Sequence, residues 1–432
     1  MSSNESRPQL PAALRFFALF SVGLTILAWV SILVCRLLNL RDLPYGGYLL
    51  PRIYDYADMG ILVPRFKYFH SSMFFSPNVG YPYLYPPAVA PFYKAFYLFH
   101  HPVIVFLLFL VVVLSSLAGL MVRALSRHGV PFLTAVVFSV VCVVFSYAFY
   151  FEVNRANMEI FIWLFSALGV YFFTRGHSWK ASGFIGLAAA MKLFPIFYLG
   201  LLLSRRQYRQ AFFGIFVAGV VSLISLWAIC PDIRLSLHGI LSGLHGFDLM
   251  YVQQYRPLEI GIDHSLFGLI KRVLGPLPSE RYKSILTVYM ALAAIAGITL
   301  YFFRIRFLPV VNQVLCLAIA CILLPPTSYD YTLLHLYTAW VLMVILCVDA
   351  YHRGAASVKG VWPAFVCFAI LLSQVGEIIL HGERLGGQIK ALVLIALFYI
   401  ALRYPFHSVY DQVESRLGHR AENLYIPPAA IG

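Results

Sequence analysis

The amino-acid sequence predicts an all-α membrane protein, a bundle of about eleven or twelve transmembrane helices with two long loops on the non-cytoplasmic side. Three observations carry that expectation. Hydrophobic residues make up 61% of the chain and charged residues only 12%, about half the share found in soluble domains, and the mean hydropathy is +0.81. Apolar runs close to the ~20 residues that cross a hydrocarbon core recur along the whole length. The basic residues that give the formal net charge of +14 sit in short clusters between those runs. In a soluble protein such a charge would suggest nucleic acid. Here it reads as orientation signals and headgroup contacts, so the lipid bilayer is the expected partner and nucleic acid is not.

Taken in order, the first apolar run, 14–38, follows Arg7 and Arg15 and is too long for the core of a cleaved signal peptide. It reads as an uncleaved first span with a cytoplasmic N-terminus. A long loop follows at 39–101, rich in Tyr, Phe, Pro and Arg, whose second half, 81–98, is semi-apolar and expected to lie along the membrane. Further spans are expected near 102–123, 131–151, 157–174, 211–230, 285–303, 308–324, 331–348, 361–380 and 389–402.

The run 181–203 differs, because Lys192 and Pro195 interrupt it and both its flanks are basic: Arg175 and Lys180 before, then Arg205, Arg206 and Arg209. With both flanks cytoplasmic, it must enter and return as a broken pair of short helices, and a proline inside an apolar run supplies the break. The other basic links, including Arg123 with Arg127, Arg304 with Arg306, and Arg353 with Lys359, then fall on the same side. The loops 39–101 and 231–283 face outward, residues 421–432 read as a disordered tail, and the whole chain, 1–432, reads as a single transmembrane domain. The seven cysteines lie in or beside apolar runs without CxxC spacing and read as small buried hydrophobes.

No GxGxxG, P-loop, HExxH or zinc spacing occurs. Nothing here is able to bind a nucleotide, no tight carboxylate cluster demands a metal, and no cofactor is expected. The polar residues that stand out lie at the outer face. Asp55 and Asp58 are three apart and would share a face of a short helix, where lost hydration would suit a general base; alternatively they are solvated acids paired with Arg52 or Arg65. Lys192, an ionisable group in an apolar run, is either a phosphate ligand or a structurally paired lysine. Arg155, in the turn Asn154-Arg155-Ala156-Asn157 beside Glu152 and Glu159, either grips a phosphate or anchors its helix. The turn 325–331 carries Tyr329 and Asp330, with His335 one helical turn further on. This turn either contacts substrate or is an ordinary turn with an aromatic belt, and Tyr85 of the rigid Tyr85-Pro86-Pro87 segment either orients a sugar or belongs to a fixed turn entering an interfacial helix; His264 lies in the second long loop.

Together these segments resemble glycosyltransferase family 87, polytopic bacterial enzymes of the GT-C type that include mannosyltransferases using polyprenyl-phosphate sugars. The resemblance rests on Asp58 and Arg65 ahead of the YPP turn, on the Asn154–Asn157 turn, on GLAAAMKLFPIFYLGLLLSRRQYR at 186–209 and on PPTSYDYTLLHL at 325–336. It extends over 58–330, and the central Lys-Pro stretch is the specific part. The chain departs from the family's pattern in having Asn154-Arg155-Ala156-Asn157 where a Gln-x-Asn is usual, and Tyr331-Thr332 in place of a His pair.

The resemblance implies a GT-C-like bundle in a bacterial plasma membrane with its site on the extracytoplasmic side. It implies transfer of mannose or a similar sugar, with inversion, from a polyprenyl-phosphate donor to a glycan or glycolipid acceptor. Asp58 would be the base with Asp55 in reserve. Lys192, Arg155 and Arg256 would face the donor phosphate. Tyr85, Tyr329, Asp330, His335 and His264 would line the substrates. The competing readings are a lipid or sugar transporter or flippase, and a polysaccharide polymerase or ligase. A transporter more often shows two halves with matching broken helices, and only one broken run is evident here.

Overall fold

A computed structural model describes residues 10–38, 56–76, 78–79, 82–353, 359–373, 379–380 and 383–407. Asp55, the 39–54 part of the first loop and the expected tail 421–432 lie outside the described residues.

The described apolar runs are mostly helical, as the backbone requires where no water satisfies it. Among the described residues six helices are long and apolar enough to cross a membrane: Ala12–Ser31, Pro102–Arg127, Tyr208–Ile229, Ser279–Phe307, Asp330–His352 and Gly386–Arg403. A seventh crossing arises if Phe132–Val144 and Tyr147–Arg155, bent by 49°, form one span. The bend falls at Phe145–Ser146, where the Ser146 hydroxyl accepts from the Phe149 N–H and starts the second helix.

Three of the expected crossings and the return arm of the expected hairpin are shorter. Glu159–Thr174, Phe194–Ser204, Val310–Leu323 and Val361–Leu372 are apolar helices of 10–17 residues, and at 1.5 Å per residue each falls short of the ~30 Å hydrocarbon core. The expected run 361–380 stops being helical after Leu372, and Ile379–Leu380 instead pairs antiparallel with Glu383–Arg384. Apolar length alone does not separate a lipid-facing span from a helix buried by its neighbours. Only 6% of the apolar window of Ser279–Phe307 is covered by the rest of the protein, against 72% of Asp330–His352. Val310–Leu323 is buried on nearly every side, which explains its all-round apolar sequence.

The interrupted run forms a helix, Ser178–Met191, that stops where Lys192 becomes extended, followed by a 3-10 turn, Phe194–Leu199, and a short helix, Gly200–Ser204. The chain comes back to the end it left. Arg205 Nη1 donates to the Phe173 carbonyl at 3.1 Å, and the Ser182 hydroxyl donates to the Gln210 carbonyl. Small residues permit the close layering: a Cβ on Gly186 would lie 2.5 Å from the Gly214 carbonyl oxygen, and one on Gly169 would lie 2.6 Å from Ile185. Lys192 therefore stands at the opposite end of this layer from Arg175, Lys180, Arg205 and Arg206.

In the first loop, the helix Val89–Phe96 packs its aromatic side inward, with Phe92 and Phe96 against Phe161. The second loop folds into Ile233–Phe247, a π turn at Asp248–Val252, Pro257–Ile262 and Leu266–Leu274.

Candidate active site

Three carboxylates, each with its own cation, gather at the Lys192 end of the bundle. The first is Asp58, buried on the short helix Ala57–Gly60. Local structure brings it to Arg155: the Tyr147–Arg155 helix ends on Ala156 in the left-handed region (φ 48°), the Tyr93 hydroxyl donates to the Ala156 carbonyl at 2.9 Å, and the Tyr56 N–H donates to the Asn154 carbonyl at 2.8 Å. Arg155 then grips the carboxylate with two donors, Nε to Oδ2 at 3.2 Å and Nη2 to Oδ1 at 2.5 Å, and Asn157 Nδ2 adds a bond to Oδ2 at 2.7 Å. A carboxylate oxygen accepts about two hydrogen bonds. Oδ2 has two and Oδ1 one, so Oδ1 retains capacity for a substrate hydroxyl.

The second group centres on Glu159, buried at the start of Glu159–Thr174. Its Oε2 accepts from Lys192 Nζ at 2.7 Å, and its Oε1 lies 2.9 Å from His335 Nε2. The lysine side chain keeps 28% of its surface exposed while the glutamate keeps 2%. One of the three ammonium donors is thus engaged by Glu159, which leaves the ammonium with donor capacity beyond that bond. The aromatic ring of Tyr331 lies 5.5 Å from the ammonium.

The third group is Asp330, whose Oδ1 accepts from Lys390 Nζ at 2.5 Å with both side chains buried. His264 Nδ1 stands 3.6 Å from the same oxygen, beyond hydrogen-bond range. Burial, then the nearby Lys390 charge, holds the His264 imidazole well below its usual pKa, so it is neutral and Lys390 is the counter-ion of Asp330. Fully buried, His264 instead ties Ser328 and Thr332 together, at 3.2 and 3.0 Å from Nε2.

Tyr331 joins the three groups. Its ring is 6.0 Å from Phe151 and 6.1 Å from Tyr329, and it lies within electrostatic reach of Asp58, Glu159, Arg155 and Glu152. Tyr85 feels Asp58, Tyr331 and Arg155 as neighbours, and burial followed by the Asp58 charge raises its hydroxyl well above the usual range. Lys390 stacks 4.7 Å over Tyr147. Arg256 stands elsewhere: it packs 5.2 Å over Tyr251 and reaches Gln254 at 3.4 Å, and among the described residues it has no hydrogen bond or ion pair to any of the three groups.

Of the residues singled out by sequence, Asp58, Lys192, Arg155, Tyr85, Asp330 and His335 thus share one region, and Tyr329 and His264 adjoin it. Glu159, Asn157, Tyr331 and Lys390 were not selected. The signal available for Glu159 was a carboxylate opening an apolar run, the same reasoning that marked Lys192.

A second-loop latch supports the region from one side. Asp263 Oδ1 accepts the backbone N–H groups of Ser265 and Ser328, each at 2.9 Å, and the His264 N–H donates to the Ser328 carbonyl at 3.0 Å. Burial raises the Asp263 carboxyl to about 6 despite those bonds. Gly387 lets the last helix approach, since a Cβ there would lie 2.5 Å from the Asp263 carbonyl oxygen. Among the described residues no three His, Cys, Asp or Glu side chains group as a metal ion would require.

A family model described as glycosyltransferase family 87 matches residues 83–326, more than half of the chain. No curated protein and no solved structure matches it.

Proposed function

We propose, for a chain that belongs to glycosyltransferase family 87, transfer of a single sugar from a polyprenyl-phosphate donor to a hydroxyl of an extracytoplasmic glycan or glycolipid, with inversion. The observation that carries the proposal is the grouping of Asp58, with accepting capacity left on Oδ1, and of Lys192, anchored by Glu159 with donor capacity left on its ammonium, around one tyrosine. Asp58 removes the proton from the acceptor hydroxyl while that oxygen forms a bond to the anomeric carbon. The bond from the anomeric carbon to the donor phosphate oxygen breaks, and its electron pair leaves on the phosphate. Lys192 stabilises that developing charge, so a lipid phosphate departs without an acid.

Arg155 and Asn157 hold Asp58 in register, and Glu159 with His335 holds Lys192. Tyr85, Tyr329 and Asp330 border the sugar. A donor carried by a polyprenyl chain suits an enzyme that itself lies in the bilayer. The site's place at the end opposite the Arg175–Arg209 basic links supports an extracytoplasmic orientation in a bacterial plasma membrane.

The test is Lys192→Gln in nanodiscs with polyprenyl-phosphate mannose. A hydrogen bond to a charged group contributes about 1.5–3 kcal/mol, and because Lys192 acts on charge that develops as the phosphate leaves, kcat/KM for the donor should fall by roughly 10- to 100-fold. An unchanged KM and kcat would remove Lys192 from the donor site.

A further inference from the structure

The helix Ile233–Phe247 in the second loop has three faces of different chemistry. The first packs on the protein. Ser236 and Ile240 are buried, and the Ser236 hydroxyl donates to the Leu226 carbonyl at 2.8 Å. Gly239 and Gly243 complete that face: a Cβ on Gly239 would lie 2.3 Å from the Phe75 ring, and one on Gly243 would lie 1.9 Å from the Tyr83 carbonyl oxygen. The helix therefore grips the first loop, which also carries Tyr85 and Asp58.

The second face is apolar and open. At 3.6 residues per turn, Ile233, Leu237, Leu241 and Leu244 fall within about 80° of arc on one flank, and they are 42%, 46%, 56% and 37% exposed. Beside that flank, the third face aligns Arg234, His238 and His245, all exposed. Leu235 is the exception, on the other flank.

Continuity identifies what covers the open flank. The helix follows directly on the candidate span Tyr208–Ile229, whose apolar Leu223, Ile224 and Trp227 are 56%, 59% and 54% exposed. The link is short: Cys230 is extended, and the Asp232 side chain caps the new helix by accepting the N–H groups of Arg234 and Leu235. A leucine flank bounded by a basic stripe, starting at the end of a span, matches a helix lying in the plane of a lipid interface.

We propose that Ile233–Phe247 is an interfacial helix. Its Ile233–Leu237–Leu241–Leu244 flank enters the acyl layer of the leaflet on the site's side, and Arg234, His238 and His245 contact lipid phosphates. Its glycine face fixes the first loop at a set depth relative to that surface.

The experiment uses nitroxide labels on Leu237→Cys and, separately, Ser242→Cys, which points away from the leucine flank. The six cysteines whose side chains are described are buried, so a Cys35→Ser background keeps labelling selective. The full chain is placed in nanodiscs containing anionic lipid, and relaxation by oxygen is compared with relaxation by a water-soluble nickel chelate. The Leu237 label should favour oxygen and the Ser242 label the nickel chelate. Raising the anionic lipid fraction should deepen the Leu237 label, and Arg234→Gln should remove that response. Equal nickel access at both positions would overturn the proposal by leaving the flank in water. Oxygen preference at both would overturn it by placing the helix wholly within the bilayer. A depth indifferent to anionic lipid would overturn the phosphate contact.

Discussion

Lys390 and Asp330 form an ion pair with almost no exposure, and such pairs respond unevenly to mutation. Removing one partner strands a charge in a poor solvent at a cost of about 3–5 kcal/mol, whereas replacing both with apolar groups is often neutral. Lys390→Met is therefore expected to lower the thermal unfolding midpoint of the purified protein sharply, and Lys390→Met with Asp330→Leu to recover most of the loss. A single variant as stable as the parent would mean that the pair is not buried in solution. Sequence alone marked Asp330 but not its partner, because the two are 60 residues apart. The same limit hid Glu159 from Lys192, 33 residues away, and Asn157 from Asp58, 99 residues away. A buried charge announces itself by its residue type, but its counter-ion is chosen by the fold. Arg155 grips Asp58 with two donors, whereas Lys192 is anchored by a single bond to Glu159 and keeps donor capacity for a phosphate.

Elements behave as the backbone's demands and the small residues dictate. The break at Lys192 was legible because a charge and a proline together cannot continue an apolar helix. The 49° bend at Phe145–Ser146 was not, since neither residue forbids helix. The layer on either side of Ser178–Met191 depends on glycine. A side chain at Gly186 must displace the Gly214 carbonyl and Val217, so Gly186→Val should cost about 1–3 kcal/mol as overpacking. An accompanying loss of activity would be expected, because that helix delivers Lys192. Equal melting temperature and activity would argue against the close layering.

The Asp263 latch makes a prediction of opposite character. Its folded pKa, about 6, lies above the ordinary value of 3.8, so between roughly pH 4 and 6 the folded protein binds more protons than the unfolded chain and stability falls as pH rises. Asp263→Asn keeps an oxygen for the Ser265 and Ser328 N–H groups without the buried charge. It should flatten the stability profile across that window, and an unaltered profile would show that Asp263 is not its source.

At the scale of the whole molecule, composition was sufficient to identify a polytopic helical membrane protein, because no other solvent accommodates so few charges. Apolar length alone does not sort the helices by environment: Val310–Leu323 and Val361–Leu372 are as apolar as the long spans but are covered largely by protein, and a sequence does not say what surrounds a helix. The architecture has a functional logic. Short, largely buried helices and the returning hairpin bring polar termini to one end of an apolar body, where charged groups from distant segments meet. That arrangement suits a reaction whose donor is held in the membrane and whose acceptor arrives from outside.

The central claim is that Asp58 is the base of a polyprenyl-phosphate-dependent sugar transfer, and one measurement addresses it most directly. Purified protein in nanodiscs is supplied with polyprenyl-phosphate mannose and a lipid-acceptor extract, and release of polyprenyl phosphate is followed for the parent and for Asp58→Asn. General base catalysis typically contributes about 10²–10⁴-fold. The account predicts a loss of that size in kcat, donor KM little changed and the fold intact. Equal turnover by Asp58→Asn would contradict it.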